Sequence, residues 1–125
     1  MALQQVEVDA FLKDADSIAN FSAPVFHDNR GQGTQDLIQM ACKEFPRHNV
    51  MVIYTKHNLS EMKDCTRSEV TMRGQLGWPV KMQVYFFQSG IIENLGDGGY
   101  RNWAFGGNWE RSGQSVKFFP RGLPS

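Results

Sequence analysis

The feature that most constrains this chain is a strand-like run, residues 48–55, whose two faces are both apolar. Alternate side chains of a β-strand project to opposite faces of its sheet. The two faces carry Val50, Val52 and Tyr54 on one side and Met51, Ile53 and Thr55 on the other. A strand with one face in water would show polar residues at every second position. We therefore expect a central strand that is buried on both faces.

The clearest helix precedes this strand. Apolar residues recur there at spacings of three and four, which places them on one face of a helix. They are Leu37, Ile38, Ala41, Cys42 and Phe45. Thr34 is a favourable N-cap, Asp36 would lie in the first turn, and Pro46 ends the helix because proline cannot continue its hydrogen bonds. We expect this helix to cover one face of the sheet.

A looser apolar stripe predicts another helix over residues 4–19, and turn-forming residues at 20–33 predict a long connection after it. Period-two alternation predicts the remaining strands. These are residues 69–73, 79–88, a short piece at 91–92, 100–105, 108–111 and 115–119. Ser112 and Gly113 are predicted to form a hairpin turn between the last two.

These elements predict a fold of the α+β class. We expect a single domain over residues 1–125, with two N-terminal helices packed on an antiparallel β-sheet of five to six strands. A sandwich and a partial barrel are the two ways in which such a sheet would close. The length of 125 residues is typical of one domain.

Charge and hydropathy exclude several classes of function. The chain carries 13 basic and 13 acidic residues, whereas a dedicated nucleic-acid binder usually has a strong excess of positive charge. No stretch approaches the ~18 consecutive apolar residues of a membrane span. The N-terminal sequence lacks the apolar core of a secretory signal. We expect a soluble, cytoplasmic protein with no nucleic-acid partner and no membrane span, and unconventional secretion is the alternative.

The residues most often used in catalysis are scattered along the chain. Three isolated histidines match no metal-binding spacing, namely His27, His48 and His57. Cys42 and Cys65 form no CxxC pair and are too few for a disulfide framework. We expect no metal and no cofactor. If the protein is an enzyme, its candidate residues are His27 with the adjacent Asp28, or His57 after the central strand.

One constellation stands out, in residues 100–111, where large aromatic side chains alternate with amide, carboxylate and guanidinium groups. The candidate ligand-binding residues are Tyr100, Arg101, Asn102, Trp103, Asn108, Trp109, Glu110 and Arg111. An aromatic ring stacks on the apolar face of a sugar or planar molecule, while polar neighbours fix its orientation. Gly106 and Gly107 would let a ligand or another backbone approach closely. Core packing and a subunit interface are the alternative roles for these aromatic residues.

The leading hypothesis is a non-enzymatic binding protein of lectin type, with a carbohydrate or a small planar molecule as ligand. One alternative is a small hydrolase or isomerase that uses His27 and Asp28, or His57. Another is a self-associating or toxin-like module, such as a homodimer. A histidine hydrogen-bonded to a carboxylate would favour catalysis, and an exposed tryptophan would favour binding. We expect Trp109, beside the hairpin turn, to be exposed and Trp103 to be buried.

Overall fold

The computed structural model describes residues 30–72, 79–99 and 101–121. These residues form one helix and eight strands: α1 (Arg30–Glu44), β1 (Asn49–Ile53), β2 (His57–Lys63), β3 (Thr66–Met72), β4 (Val80–Phe87), β5 (Ser89–Asn94), β6 (Trp103–Gly106), β7 (Trp109–Ser112) and β8 (Ser115–Phe118). The strands make two four-stranded sheets, with the order β3-β4-β1-β6 in sheet I and β2-β5-β8-β7 in sheet II. Neighbouring strands pair in antiparallel fashion.

Strand β1 lies inside sheet I and is buried at every position, which confirms the central strand predicted from residues 48–55. Val50 and Val52 face α1 and belong to one hydrophobic cluster. Met51 and Ile53 face sheet II and belong to a second cluster. Sheet I is therefore the middle of three layers, with α1 on one side and sheet II on the other.

The expected architecture, two N-terminal helices on one sheet of five to six strands, is wrong. The described residues contain one helix, and their eight strands are divided between two sheets, so this part of the chain is mostly β. The chain passes from sheet I to sheet II three times, through residues 54–56 between β1 and β2, through Gln88 alone between β4 and β5, and through Gly107 and Asn108 between β6 and β7. Connections this short have the same sequence signals as hairpin turns, which is why one sheet was expected. The helix predicted over residues 4–19 lies outside the described residues.

The predicted start of the main helix is also wrong. Helix α1 begins at Arg30, so neither Thr34 as N-cap nor Asp36 as a first-turn carboxylate is correct. Thr34 lies within α1, and its side chain is buried. Its hydroxyl donates a hydrogen bond of 3.0 Å to the carbonyl oxygen of Arg101. This tertiary contact stabilises a first turn that contains two glycines, a composition that disfavours helix on its own.

Strand β2 was not predicted, because five of its seven residues are exposed and its sequence is largely polar. Its pairing with β5 shifts register between Ser60 and Lys63, and Glu61 in between has a φ of 55°. Such a bulge breaks the two-residue alternation from which a strand is recognised. The β7–β8 hairpin, by contrast, is confirmed, but its two-residue loop is Gly113 and Gln114, one residue later than predicted, with Gly113 at a φ of 61° and Ser112 in β7.

The side chain of Asn49 joins the two sheets at two of these crossings. This residue is fully buried at the start of β1. Its Nδ2 donates to the carbonyl oxygens of Gln88 and Phe119, both at 2.8 Å. Its Oδ1 accepts a hydrogen bond of 2.8 Å from the backbone N–H of Asn108. One amide therefore holds the crossings at Gln88 and at Asn108 and the end of β8.

No helix within the described ranges is long and apolar enough to cross a membrane.

Leu37→Ala should lower the free energy of unfolding by about 2–4 kcal/mol, because the side chain is fully buried between α1 and sheet I. Gln39→Ala, on the exposed face of the same helix, is the matched control and should leave the urea midpoint nearly unchanged. Equal shifts for the two variants would show that the helix face is assigned wrongly.

Asn49→Ala should lower the free energy of unfolding by about 3 kcal/mol, because it leaves two carbonyl oxygens and one N–H without their hydrogen-bond partner. Asn58→Ala, which removes an exposed amide from β2, should cost less than about 0.5 kcal/mol. Urea unfolding followed by circular dichroism measures both. Similar losses for the two variants would contradict the joining role of Asn49.

Candidate functional site

Three of the predicted ligand-binding side chains and one further aromatic side chain meet where β6, an edge strand of sheet I, lies beside β7, an edge strand of sheet II. We call Trp103, Phe105, Trp109 and Arg111 the aromatic edge. Phe105 is its centre, with ring centroids 5.0 Å from Trp103 and 4.8 Å from Trp109. The Phe105 and Trp109 rings are nearly perpendicular, at 86°. This edge-to-face arrangement is favourable for aromatic pairs and fixes how the Trp109 ring stands.

The crossing between β6 and β7 brings these side chains together. Gly107 has a φ of 120°, a conformation that residues with a Cβ rarely adopt. A Cβ at this position would also collide with Oδ1 of Asn49. Trp103 and Phe105 come from sheet I and Trp109 and Arg111 from sheet II, so the aromatic edge forms only because this turn is tight.

The two tryptophans differ as expected. Trp103 is 3% exposed, and its Nε1 donates a hydrogen bond of 2.8 Å to the carbonyl oxygen of Gly98. Trp109 is 43% exposed, and its indole N–H donates to no residue in the described part of the chain. Trp103 is therefore a core residue, whereas Trp109 presents an apolar surface and a hydrogen-bond donor to solvent.

Arg111 is exposed but held in place by two contacts. Its Nε donates a hydrogen bond of 2.7 Å to the carbonyl oxygen of Gly113 in the hairpin loop. Its guanidinium carbon lies 4.9 Å from the centroid of the Trp103 ring. A guanidinium over an indole is a favourable cation–π contact, so the orientation of Arg111 depends on both β6 and the hairpin.

The other predicted ligand-binding residues lie elsewhere. Asn102 is buried and donates to the carbonyl oxygen of Asp97 at 3.3 Å, which gives it a structural role in the loop before β6. Arg101 is exposed in that loop, next to helix α1. Asn108 forms the crossing turn, and Glu110 projects from the opposite face of β7 toward Lys117. Tyr100 lies outside the described residues.

The histidines are placed differently from one another. His27 and the adjacent Asp28 lie outside the described residues. His48 is buried against the rings of Phe45 and Phe86, at centroid distances of 6.1 and 6.4 Å, and serves the core. His57 is half-buried at the start of β2 and takes part in a polar chain of hydrogen bonds.

That polar chain connects the two sheets through Tyr85. The Nδ1 of His57 lies 2.8 Å from the carbonyl oxygen of Thr55, which can only accept, so Nδ1 carries the proton. In a neutral ring, Nε2 then accepts from the Tyr85 hydroxyl at 2.7 Å. Arg67 lies near the same hydroxyl. The ring nitrogens of His57 thus bond to a carbonyl and a phenol, and not to a carboxylate.

Burial shifts the titration of Tyr85. Desolvation raises the pKa of its hydroxyl, the positive charge of Arg67 offsets part of this rise, and Cys65 adds to it. No sequence signal pointed to this group, because Arg67, Tyr85 and His57 are far apart in the chain and lie on three strands. One of these strands, β2, was not predicted.

The cysteines and the described acidic residues form no cluster that could hold a metal ion. Cys42 and Cys65 are free thiols, and burial raises the pKa of both. The positive charge of Arg121 offsets part of this rise for Cys42. Within residues 30–72, 79–99 and 101–121, no three histidine, cysteine or acidic side chains are grouped closely enough to hold a metal ion.

The chain has limited similarity to known proteins. No protein-family model matches it, and no solved structure matches it significantly. A segment of 73 residues is 34% identical to the stress response protein YvgO of Bacillus subtilis (strain 168). This match covers 58% of the chain and 43% of the length of that relative. Similarity over less than half of the relative does not place the chain in a family.

Tyr85→Phe should lower the free energy of unfolding at pH 8 by about 1 kcal/mol, because Nε2 of His57 loses its donor. The raised pKa of Tyr85 also means that the folded protein keeps this proton longer than the unfolded chain does. Wild-type stability should therefore fall as the pH rises from about 10 through the folded pKa. Tyr85→Phe has no hydroxyl to ionise and does not show this loss. The difference in free energy of unfolding between wild type and the variant should therefore be smaller at pH 11 than at pH 8.

Urea unfolding at both pH values measures this effect, and Ser60→Ala, which removes a hydroxyl from an exposed position of β2, is the control. A difference between wild type and Tyr85→Phe that is the same at pH 8 and pH 11 would contradict the assignment.

Proposed function

We propose that the protein is a non-enzymatic binding protein that holds a carbohydrate or small planar ligand at the aromatic edge. The observation that carries this proposal is the Trp109 side chain, which is 43% exposed yet oriented by the perpendicular Phe105 ring. An indole held in this way needs little further ordering when a ligand stacks on it. Pre-ordered groups bind with a smaller entropic penalty than mobile ones.

The chemistry around Trp109 fits such a ligand. Its ring offers an apolar stacking surface, and its indole N–H and the guanidinium of Arg111 offer directional donors on the same side of β7. Sites for small molecules combine apolar and aromatic surface with a few well-placed polar groups. The description of the Bacillus subtilis relative as a stress response protein names no ligand, so the proposal depends on this geometry.

The enzymatic alternative has less support among the described residues. A catalytic histidine is usually oriented by a carboxylate and has one nitrogen available to the substrate. Both nitrogens of His57 are bonded within the fold, to Thr55 and Tyr85. The interaction alternative uses the same exposed Trp109 as a contact with a second copy, so measurements of binding and of molecular mass distinguish the two.

A cytoplasmic location is part of the proposal. The two cysteines are free thiols, which are typical of proteins in a reducing compartment.

Trp109→Ala should weaken ligand binding at least tenfold while leaving the melting temperature nearly unchanged, because an exposed stacking ring contributes about 1–3 kcal/mol by analogy with base stacking. Trp103→Ala should instead lower stability by about 3–5 kcal/mol, as the truncation of a buried ring. Titration against a panel of glycans and planar ligands, followed by tryptophan fluorescence and calorimetry, measures binding.

Leu59→Ala is the matched control, since Leu59 is an exposed apolar residue on the opposite edge of sheet II. It should bind as wild type does. Normal binding by Trp109→Ala would remove the proposed site. If no member of the panel binds and wild type sediments as a dimer that Trp109→Ala does not form, the interaction module is favoured. If the protein has hydrolase or isomerase activity that His57→Ala abolishes, the enzyme is favoured.

A further inference from the structure

We infer that Arg111 makes the aromatic edge selective for a ring-bearing carboxylate, such as a hexuronic acid or an aromatic acid. The inference rests on the proposed function, because Trp109 supplies the surface on which the ring of the ligand stacks. It goes further by naming the charged group that the ligand carries and the residue that recognises it.

The guanidinium of Arg111 is held in place by the fold and exposed to solvent. Nε donates to the carbonyl oxygen of Gly113, and the guanidinium carbon lies 4.9 Å from the centroid of the Trp103 ring. Within the described ranges, its two Nη groups make no hydrogen bond and its charge has no carboxylate partner. Arginine binds carboxylates through paired N–H groups, and a guanidinium that is already oriented loses less entropy on doing so.

The charges on this face of sheet II also favour an anion. Alternation places Trp109 and Arg111 on the inner side of β7, opposite Phe118 and Val116 of β8, so none of these four side chains is acidic. Glu110 lies on the outer side of the strand, where it is paired in register with Lys117. The acidic residue nearest in sequence to Arg111 is therefore separated from it by the sheet.

The spacing along β7 matches the size of such a ligand. Residues two apart on a strand lie about 7 Å from one another on the same face. A ring stacked on the indole of Trp109 would therefore place a carboxylate attached to that ring within reach of Arg111. A neutral ring of the same shape gains the stacking contact alone.

Matched pairs of ligands that differ in charge test this inference. One pair is trigalacturonate and its methyl ester, and the other is benzoate and benzamide. We expect the acid in at least one pair to bind the wild-type protein at least tenfold more tightly than its neutral partner. The pair that shows this preference distinguishes a sugar acid from an aromatic acid. The preference should fall as NaCl is raised, because salt screens charges near the surface.

Three variants assign the preference to Arg111. In Arg111→Gln, the ratio of acid to neutral affinity should fall to near one. Arg111→Lys should retain part of the preference, since an ammonium group keeps the charge but lacks the paired donors. Lys117→Gln removes a cation from the outer face of the same hairpin and should keep the wild-type ratio. Thermal melts of all three variants show whether each is folded.

The outcomes separate this inference from the proposed function. Equal affinity for acid and neutral ligands, or an unchanged ratio in a folded Arg111→Gln, would overturn the role of Arg111, while Trp109-dependent binding would leave the proposed function standing. Binding that does not depend on Trp109, or the absence of binding to any member of either pair and to the wider panel, would overturn both.

Discussion

The buried amide of Asn49 is the interaction on which the arrangement of the two sheets depends. Hydrophobic burial drives the sheets together but does not specify how one is placed over the other, because apolar contacts are not directional. Hydrogen bonds are directional, and Asn49 makes three of them, to the crossings at Gln88 and Asn108 and to the end of β8. A buried polar group that is fully used in this way selects one alignment of the layers.

The same amide determines where the candidate site lies. Because the chain crosses at Gly107 and Asn108, the edge strand of sheet I is followed directly by the edge strand of sheet II. Trp103 and Phe105 then close the border of the inter-sheet core, and Trp109 lies just beyond it, half in solvent. The aromatic edge is the place where the hydrophobic core ends, so its inner side is rigid and its outer side is available.

The strands that the sequence predicted well are those in which apolar and polar residues follow a clear local pattern. The central strand and the β7–β8 hairpin were predictable, because two-sided apolar alternation and a Ser-Gly turn are strong local signals. The division into two sheets was not, because no local signal distinguishes a crossing at Gln88 from a hairpin turn. The start of α1 was missed because a tertiary hydrogen bond of Thr34 stabilises it.

The candidate site was predictable in part for the same reason. Alternation placed Trp109 and Arg111 on one face and, together with the nearby turn, indicated which tryptophan is exposed. It could not show that Arg111 lies over Trp103, because that contact joins two sheets. It also missed the polar chain of His57 and Tyr85, whose members are far apart in the sequence.

The position of β1 has a consequence for how the chain folds. Val52 pairs with Val84 on one side and with Ala104 on the other, so the innermost strand must wait for partners that are distant in sequence. Closing such long loops costs entropy before any contact is gained, and proteins dominated by distant pairings fold in about milliseconds to seconds. The local hairpin of β7 and β8 can form earlier, so its tryptophan is exposed to water before the rest of the aromatic edge exists.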